Sequence, residues 1–194
     1  MTYITPAEFK ETLSLYGTSY ADDDIIRALA SASKAIDRFC GRTFGTAAAQ
    51  TRFYRPETST LVRVDDVQAV TEVAHDAQNN GTYSDVRAAG TYSLRPLNAL
   101  ADDVPFTSIR FVSGTVTNTV RVTGTFGWAE TPPEVLDATV MIAAAILKRV
   151  REAPFGVATF GDETKSAMKI AALDTQVKGL LSPLVSGAQR AIVL

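Results

Sequence analysis

The sequence predicts an α+β fold. Three observations predict it: two segments with apolar residues at helical spacing, a series of short alternating segments between them, and capping or turn residues at their borders. Thr5-Pro6-Ala7-Glu8 opens a first helix, near residues 5–16, with a threonine cap, proline at the first helical position and an acid that completes a capping box. That helix carries Phe9 and Leu13 and stops near Gly17. The second helix, 22–40, sets Ile25, Leu29, Ala32, Ile36 and Phe39 on one face. Asp22, Asp23 and Asp24 meet the positive end of its dipole, and Gly41 suits a left-handed cap at the other.

Between residues 47 and 123 the pattern turns β-like, with runs at Thr51–Tyr54, Thr60–Val64, Val67–Ala74, Tyr92–Arg95, Ile109–Val112 and Thr115–Val122. Turn-type residues separate them: Pro56, Asp65-Asp66, Asn79-Asn80-Gly81, Pro96, Asp102-Asp103 and Gly114, with Asn80-Gly81 the strongest hairpin turn. A small, mainly antiparallel sheet is therefore expected as an insert between the second and third helices, inside a single domain spanning 1–194.

Gly124 and Gly127 then read as a tight turn, Trp128 as an apolar anchor, and Thr131-Pro132-Pro133-Glu134 as a second capping box that opens a helix over 132–151. Its expected apolar face is Val135, Ala138, Ile142, Ala145, Ile146 and Val150. Pro154 ends it. Phe155, Val157, Thr159 and Phe160, around Gly156 and Gly161, form either a short hairpin or an ordinary surface turn. A last helix, 174–182, begins at the capping residue Asp174, and 184–194 is left as a tail with Val185, Ile192, Val193 and Leu194 apolar.

A chain of 194 residues can bury one core, and its formal charge of −2 argues against gripping nucleic acid by neutralising many phosphates. Lys148 to Leu194 holds seven Lys and Arg against four Asp and Glu. That polarity either suits head-to-tail contacts between copies or is simply a solvated face. Cys40, the one cysteine, permits no internal disulfide and reads as a small buried apolar residue. The N-terminus lacks the pattern of a signal peptide, and no apolar run approaches the roughly 18 residues of a membrane span, so a cytoplasmic protein is expected.

Catalytic constellations are missing. His75 is the sole histidine, and no Gly-x-Ser-x-Gly elbow marks a nucleophile for it. One histidine and one cysteine cannot fill a zinc shell. Neighbouring side chains in a strand point to opposite faces, so Asp65-Asp66 and Asp102-Asp103 read as turn formers rather than metal ligands. Gly124 to Gly127 has neither the spacing nor the lysine of a phosphate loop. Phe53, Tyr54, Tyr83, Tyr92, Phe106 and Phe111 lack an interleaved excess of basic residues and are assigned to core and interface. No enzyme activity and no cofactor are expected.

Ile25 through Phe44, and Gly124-Thr125-Phe126-Gly127-Trp128 through Pro132-Pro133-Glu134-Val135, resemble the head-to-tail connector (adaptor, or head completion) proteins of long-tailed bacteriophages. Phe155 to Asp162, Leu173-Asp174 and Val177 to Pro183 resemble that family's closing hairpin and short terminal helix more weakly, and roughly 47–111 aligns with nothing in it. The resemblance implies a structural ring subunit, a homododecamer, that binds the portal protein, extends the DNA channel and offers a docking surface to the next connector (stopper) or tail protein. It implies a place in the virion after assembly in the host cytoplasm, with double-stranded DNA passing without specific binding and no membrane contact. It also implies that Gln189, Arg190, Ala191, Ile192, Val193 and Leu194 touch the portal, where the residues alone also allow the tail to fold back on its own sheet. Phe155, Val157, Thr159 and Phe160 would lie at a ring or channel contact. The alternative class is a cytoplasmic α+β module that binds a small molecule or peptide in a concave pocket.

Overall fold

Among the described residues four α-helices and a six-stranded antiparallel sheet form, in chain order, α1 (Pro6–Thr12), α2 (Asp22–Cys40), β1 (Ala48–Tyr54), β2 (Leu61–His75), β3 (Asp85–Val86), β4 (Tyr92–Arg95), β5 (Phe106–Phe111), β6 (Val120–Phe126), α3 (Pro133–Glu152) and α4 (Thr175–Leu181). The fold is α+β, with the strands inserted between α2 and α3. The structure, a computed structural model, describes residues 2–15, 20–45, 47–152 and 175–186, without the side chains of 151 and 152. It divides into a helical unit, Met1–Phe44 with Thr131–Leu194, and a strand unit, Gly45–Glu130.

In the helical unit the caps act as the sequence predicts at both α1 and α2. The Thr5 hydroxyl accepts from the Glu8 amide at 3.3 Å, and the Glu8 carboxylate accepts from the Thr5 amide at 2.8 Å. Gly41 stands at φ 65° and donates its amide to the Asp37 carbonyl at 2.9 Å. The Cys40 carbonyl, one of those a helix end leaves without an internal partner, accepts from the Ser186 amide at 2.8 Å. Phe9, Ile25, Ala28, Leu29, Ala32, Ala143 and Leu147 pack into one buried cluster. Alanines on both α2 and α3 allow the two backbones to come close.

Three local readings change in this unit. α1 ends at Thr12, earlier than expected, with Leu13 as its C-cap. α3 starts at Pro133, and the Thr131 hydroxyl donates to the Phe44 carbonyl at 3.1 Å instead of capping. The cap position falls on Pro132, whose carbonyl accepts from the Leu136 amide at 3.3 Å and which has no side-chain oxygen to offer. The buried stripe of α3 is Val135, Ala138, Thr139, Ala143 and Leu147, whereas Ala145 and Val150 are exposed. α3 is apolar around most of its circumference, so periodicity marks a helix there without naming its inner face.

The sheet of the strand unit runs β1-β6-β2-β5-β4, with β3 pairing the end of β2. Two expected turns are absent. Asp65-Asp66 lies inside β2, which continues through them with register shifts between Arg63 and Val67 and again near Ala69 and Glu72. Gly124 lies inside β6, opposite both Gln50 and Val70. A Cβ there would stand 2.2 Å from the Ala69 carbonyl oxygen, so glycine is required by strand approach at a bulge rather than by a turn. Gly127, at φ 126°, is the residue that turns. The inner face of the sheet buries Val62, Val67, Val73, Ile109, Phe111, Val120, Val122 and Phe126.

Candidate functional surfaces

The ten residues expected at a portal contact or a ring loop, Gln189 to Leu194 together with Phe155, Val157, Thr159 and Phe160, lie outside the described residues. The polar residues weighed for chemistry are all in the strand unit, and the fold gives most of them structural partners. His75, 4% exposed at the end of β2, accepts at Nε2 from the amides of Thr117 at 3.3 Å and Asn118 at 3.4 Å. Nδ1 therefore carries the proton and faces the Asp85 carboxylate at 3.2 Å. Arg87 closes the group, donating to Asp85 at 2.8 Å and to the Thr115 carbonyl at 2.9 Å. With both ring nitrogens occupied by the protein, His75 fastens the loop before β6 to the end of β2.

Asp76 organises the loop that follows. Its carboxylate accepts from the amides of Asn80 at 3.1 Å and Gly81 at 2.8 Å, and its own amide donates to the Thr119 carbonyl at 3.0 Å. Gly81 sits at φ 80°, and β3 pairs back onto Ala74 and His75. The expected hairpin is real, but it is a wide loop tied at its base instead of a two-residue turn. The spacing of Asp76 from Asn80-Gly81 was the available sequence signal for it.

The adjacent aspartates of β2 diverge to opposite sides of the strand. Asp66 accepts from the Trp128 indole nitrogen at 2.9 Å, which satisfies the one polar atom of a side chain otherwise buried. Asp65 takes the Arg52 guanidinium at 2.6 Å and the Tyr54 hydroxyl at 3.0 Å. Burial pushes the Tyr54 phenol up to about 12. Because Arg52 and Tyr54 belong to β1, whose ladder partner is β6, their reach to Asp65 requires β2 to curl back at its bulges. Among the described residues no three His, Cys, Asp or Glu side chains converge as a metal cluster, and no described helix is long and apolar enough to cross a membrane.

Two outward sheet faces differ in how far they satisfy themselves. On β1, β6 and the second half of β2, Phe53 packs on Tyr83 with ring centroids 5.3 Å apart, and Arg121 lies 5.3 Å over Tyr83 while bonding Glu72 at 2.7 Å. Phe106 and Phe111, by contrast, are core, and Tyr54 and Tyr92 pack against that core. The face formed by the first half of β2, by β5 and by β4 is basic. Ladder register sets Arg63, Ser108 and Arg95 in one row and Leu61, Arg110 and Ser93 in the next, while Val62, Ile109 and Leu94 between them point inward. Arg63 pairs with Glu57 at 2.8 Å. Arg95 and Arg110 have no ion pair among the described residues. Ser93 Oγ and Arg95 Nε are buried without a hydrogen-bond partner.

No family model matches the chain, and no curated protein sequence does. A solved structure does: a chain in the neck of an empty GTA particle, computed with C6 symmetry, superposes with a TM-score of 0.56. The match covers 95% of this chain and 90% of that one at 16% identity. At that identity the likeness is one of fold, and it includes both the helical and the strand units.

Proposed function

We propose that this protein is a structural subunit of the head-to-tail connector of a phage-type particle. The observation that carries the reading is the fold match, which spans nearly the whole chain and involves a protein from a particle neck. Six-fold symmetry in that neck fits a closed ring of copies, and a dodecamer is one ring that six-fold averaging accommodates. In the proposed assembly the ring sits beneath the portal, extends the DNA channel and presents its far side to the next connector or tail protein. Its place is the virion.

The mechanism is geometric. Weak contacts between neighbours become tight when a ring closes, since each further contact is effectively intramolecular. The clusters around His75 and Asp65-Asp66 support this role by stiffening the strand unit, and none of their residues needs to perform chemistry. Gln189 to Leu194 are proposed to reach the portal, with strand addition as the physical means, and Phe155, Val157, Thr159 and Phe160 to meet a neighbouring copy or the channel.

The test is electron microscopy of the purified protein mixed with a candidate portal ring from the same genome. An added ring matching the portal's symmetry is expected. Unaltered portals at high protein concentration would overturn the reading. A chain truncated before Gln189 is expected to leave portals bare, and normal ring addition by it would remove the tail from the portal contact.

A further inference from the structure

On the basic face of β2, β5 and β4, Arg95 and Arg110 have no ion pair among the described residues. The construction of that face is repetitive. Ser93-Leu94-Arg95 and Ser108-Ile109-Arg110 run antiparallel, so that Ser93 faces Arg110 and Arg95 faces Ser108. Arg95 and Arg110 are therefore diagonal neighbours about 7–8 Å apart at their backbones, and Arg63 extends the row on β2. Like charges so placed repel one another. Among the described residues Glu57 offsets only Arg63. An arrangement that is costly alone becomes favourable when an anion is laid across it.

We propose that this face takes the phosphate backbone of double-stranded DNA, without regard to base sequence; naming DNA rests on the connector reading above. Guanidinium forks and serine hydroxyls are the side chains that contact phosphate oxygens. The surface is a sheet face, which suits an extended polyanion better than a compact ligand. A protein partner would want an apolar anchor at the centre, and the six residues of the two rows include one aliphatic side chain, the half-buried Leu61. The strand unit has no lysine, and the whole chain carries a formal charge of −2, so contact is weak for one copy and grows only when a ring repeats it. Weak, repeated, sequence-blind contact guides DNA without holding it.

The experiment is amide and arginine-side-chain NMR of the full chain titrated with a 12-base-pair duplex in low salt. Shifts are expected at residues 61–63, 93–95 and 108–110, with a salt slope of about −2 to −3 for two to three phosphates neutralised. Arg95→Gln and Arg110→Gln should each reduce that slope by about 1. Glu57→Gln should strengthen binding and steepen the slope, a gain that misfolding cannot imitate. Shifts elsewhere, an unchanged response in the double arginine variant, equal saturation by inorganic phosphate, or binding of an oligoglutamate peptide but not the duplex would each overturn the proposal. Failure here with a ring still forming on the portal would leave the connector reading intact, and the reverse outcome would remove that reading alone.

Discussion

In the helical unit the polar groups that define each element mostly lie within one helical turn of each other: Thr5 with Glu8, Gly41 with Asp37. In the strand unit the corresponding bonds join Trp128 to Asp66, 62 residues apart, and Thr117 to His75, 42 residues apart. The helical side has exceptions in Thr131 to Phe44, Ser186 to Cys40 and Tyr3, the last donating to Asp37 and accepting from the Phe44 amide at 3.0 Å, with burial and that carboxylate holding its phenol well above the ordinary value. The helical unit can thus begin each element locally and gain its stability by packing a stripe. The strand unit has to bring distant segments together before its polar groups are satisfied. The single cysteine, Cys40, and the single tryptophan, Trp128, fall one in each unit and allow the two to be read separately.

The largest effect is expected from Leu29→Ala, which opens the α2–α3 cluster and should cost about 2–5 kcal/mol. Thiol labelling reads it directly: burial pushes the Cys40 thiol up to about 12, so the native protein should resist labelling at neutral pH and the variant should react faster by opening more often. Gly124→Ala attacks the other unit, since the added methyl would collide with the Ala69 carbonyl. A loss of about 1–3 kcal/mol, followed by Trp128 fluorescence in urea, is expected. A neutral result would show that the crossing of β2 and β6 is looser than described.

Asp66→Ala should follow at about 2 kcal/mol, because the indole N–H of Trp128 would be left buried and unpaired, and Asp66→Asn should recover most of it. Thr5→Ala removes a cap and should cost about 1 kcal/mol, seen as amide exchange confined to α1. The smallest effect is that of acid on the same cap. Hydrogen bonds from the Thr5 hydroxyl and amide hold the Glu8 carboxyl below its ordinary value. Its contribution is then complete above the ordinary glutamate range and is lost as pH falls through the lowered folded value. An NMR titration of Glu8 should show a midpoint below that of an unstructured glutamate, and Thr5→Ala should raise it.

The basic face shows what a single chain conceals. Ser93-x-Arg95 and Ser108-x-Arg110 are visible as alternation; the sequence places β4 at its observed Tyr92–Arg95, but it starts the next strand at Ile109 where β5 begins at Phe106, which leaves Ser108 outside it. Nothing local states that these strands are neighbours or which serine meets which arginine, because register is a relation between segments and a slip of one residue would turn every side chain to the other face. Asp65-Asp66 misled for a related reason. Two acids in a row commonly mark a turn, but here the curl of the sheet gives one of them to Arg52 and Tyr54 and the other to Trp128.

The sequence by itself determined the helices, the cap at Thr5, the left-handed Gly41, the burial of Cys40 and Trp128, and the α+β class, since capping and periodicity act over a few residues and are written where they act. Tertiary structure alone decided that Gly124 is a point of strand approach, that β2 runs unbroken through its acidic pair, that His75 is fully occupied, and that Arg95 and Arg110 stand together without a counterion among the described residues. Each of these depends on which distant strand lies alongside, and that choice is made by the buried face of the whole sheet.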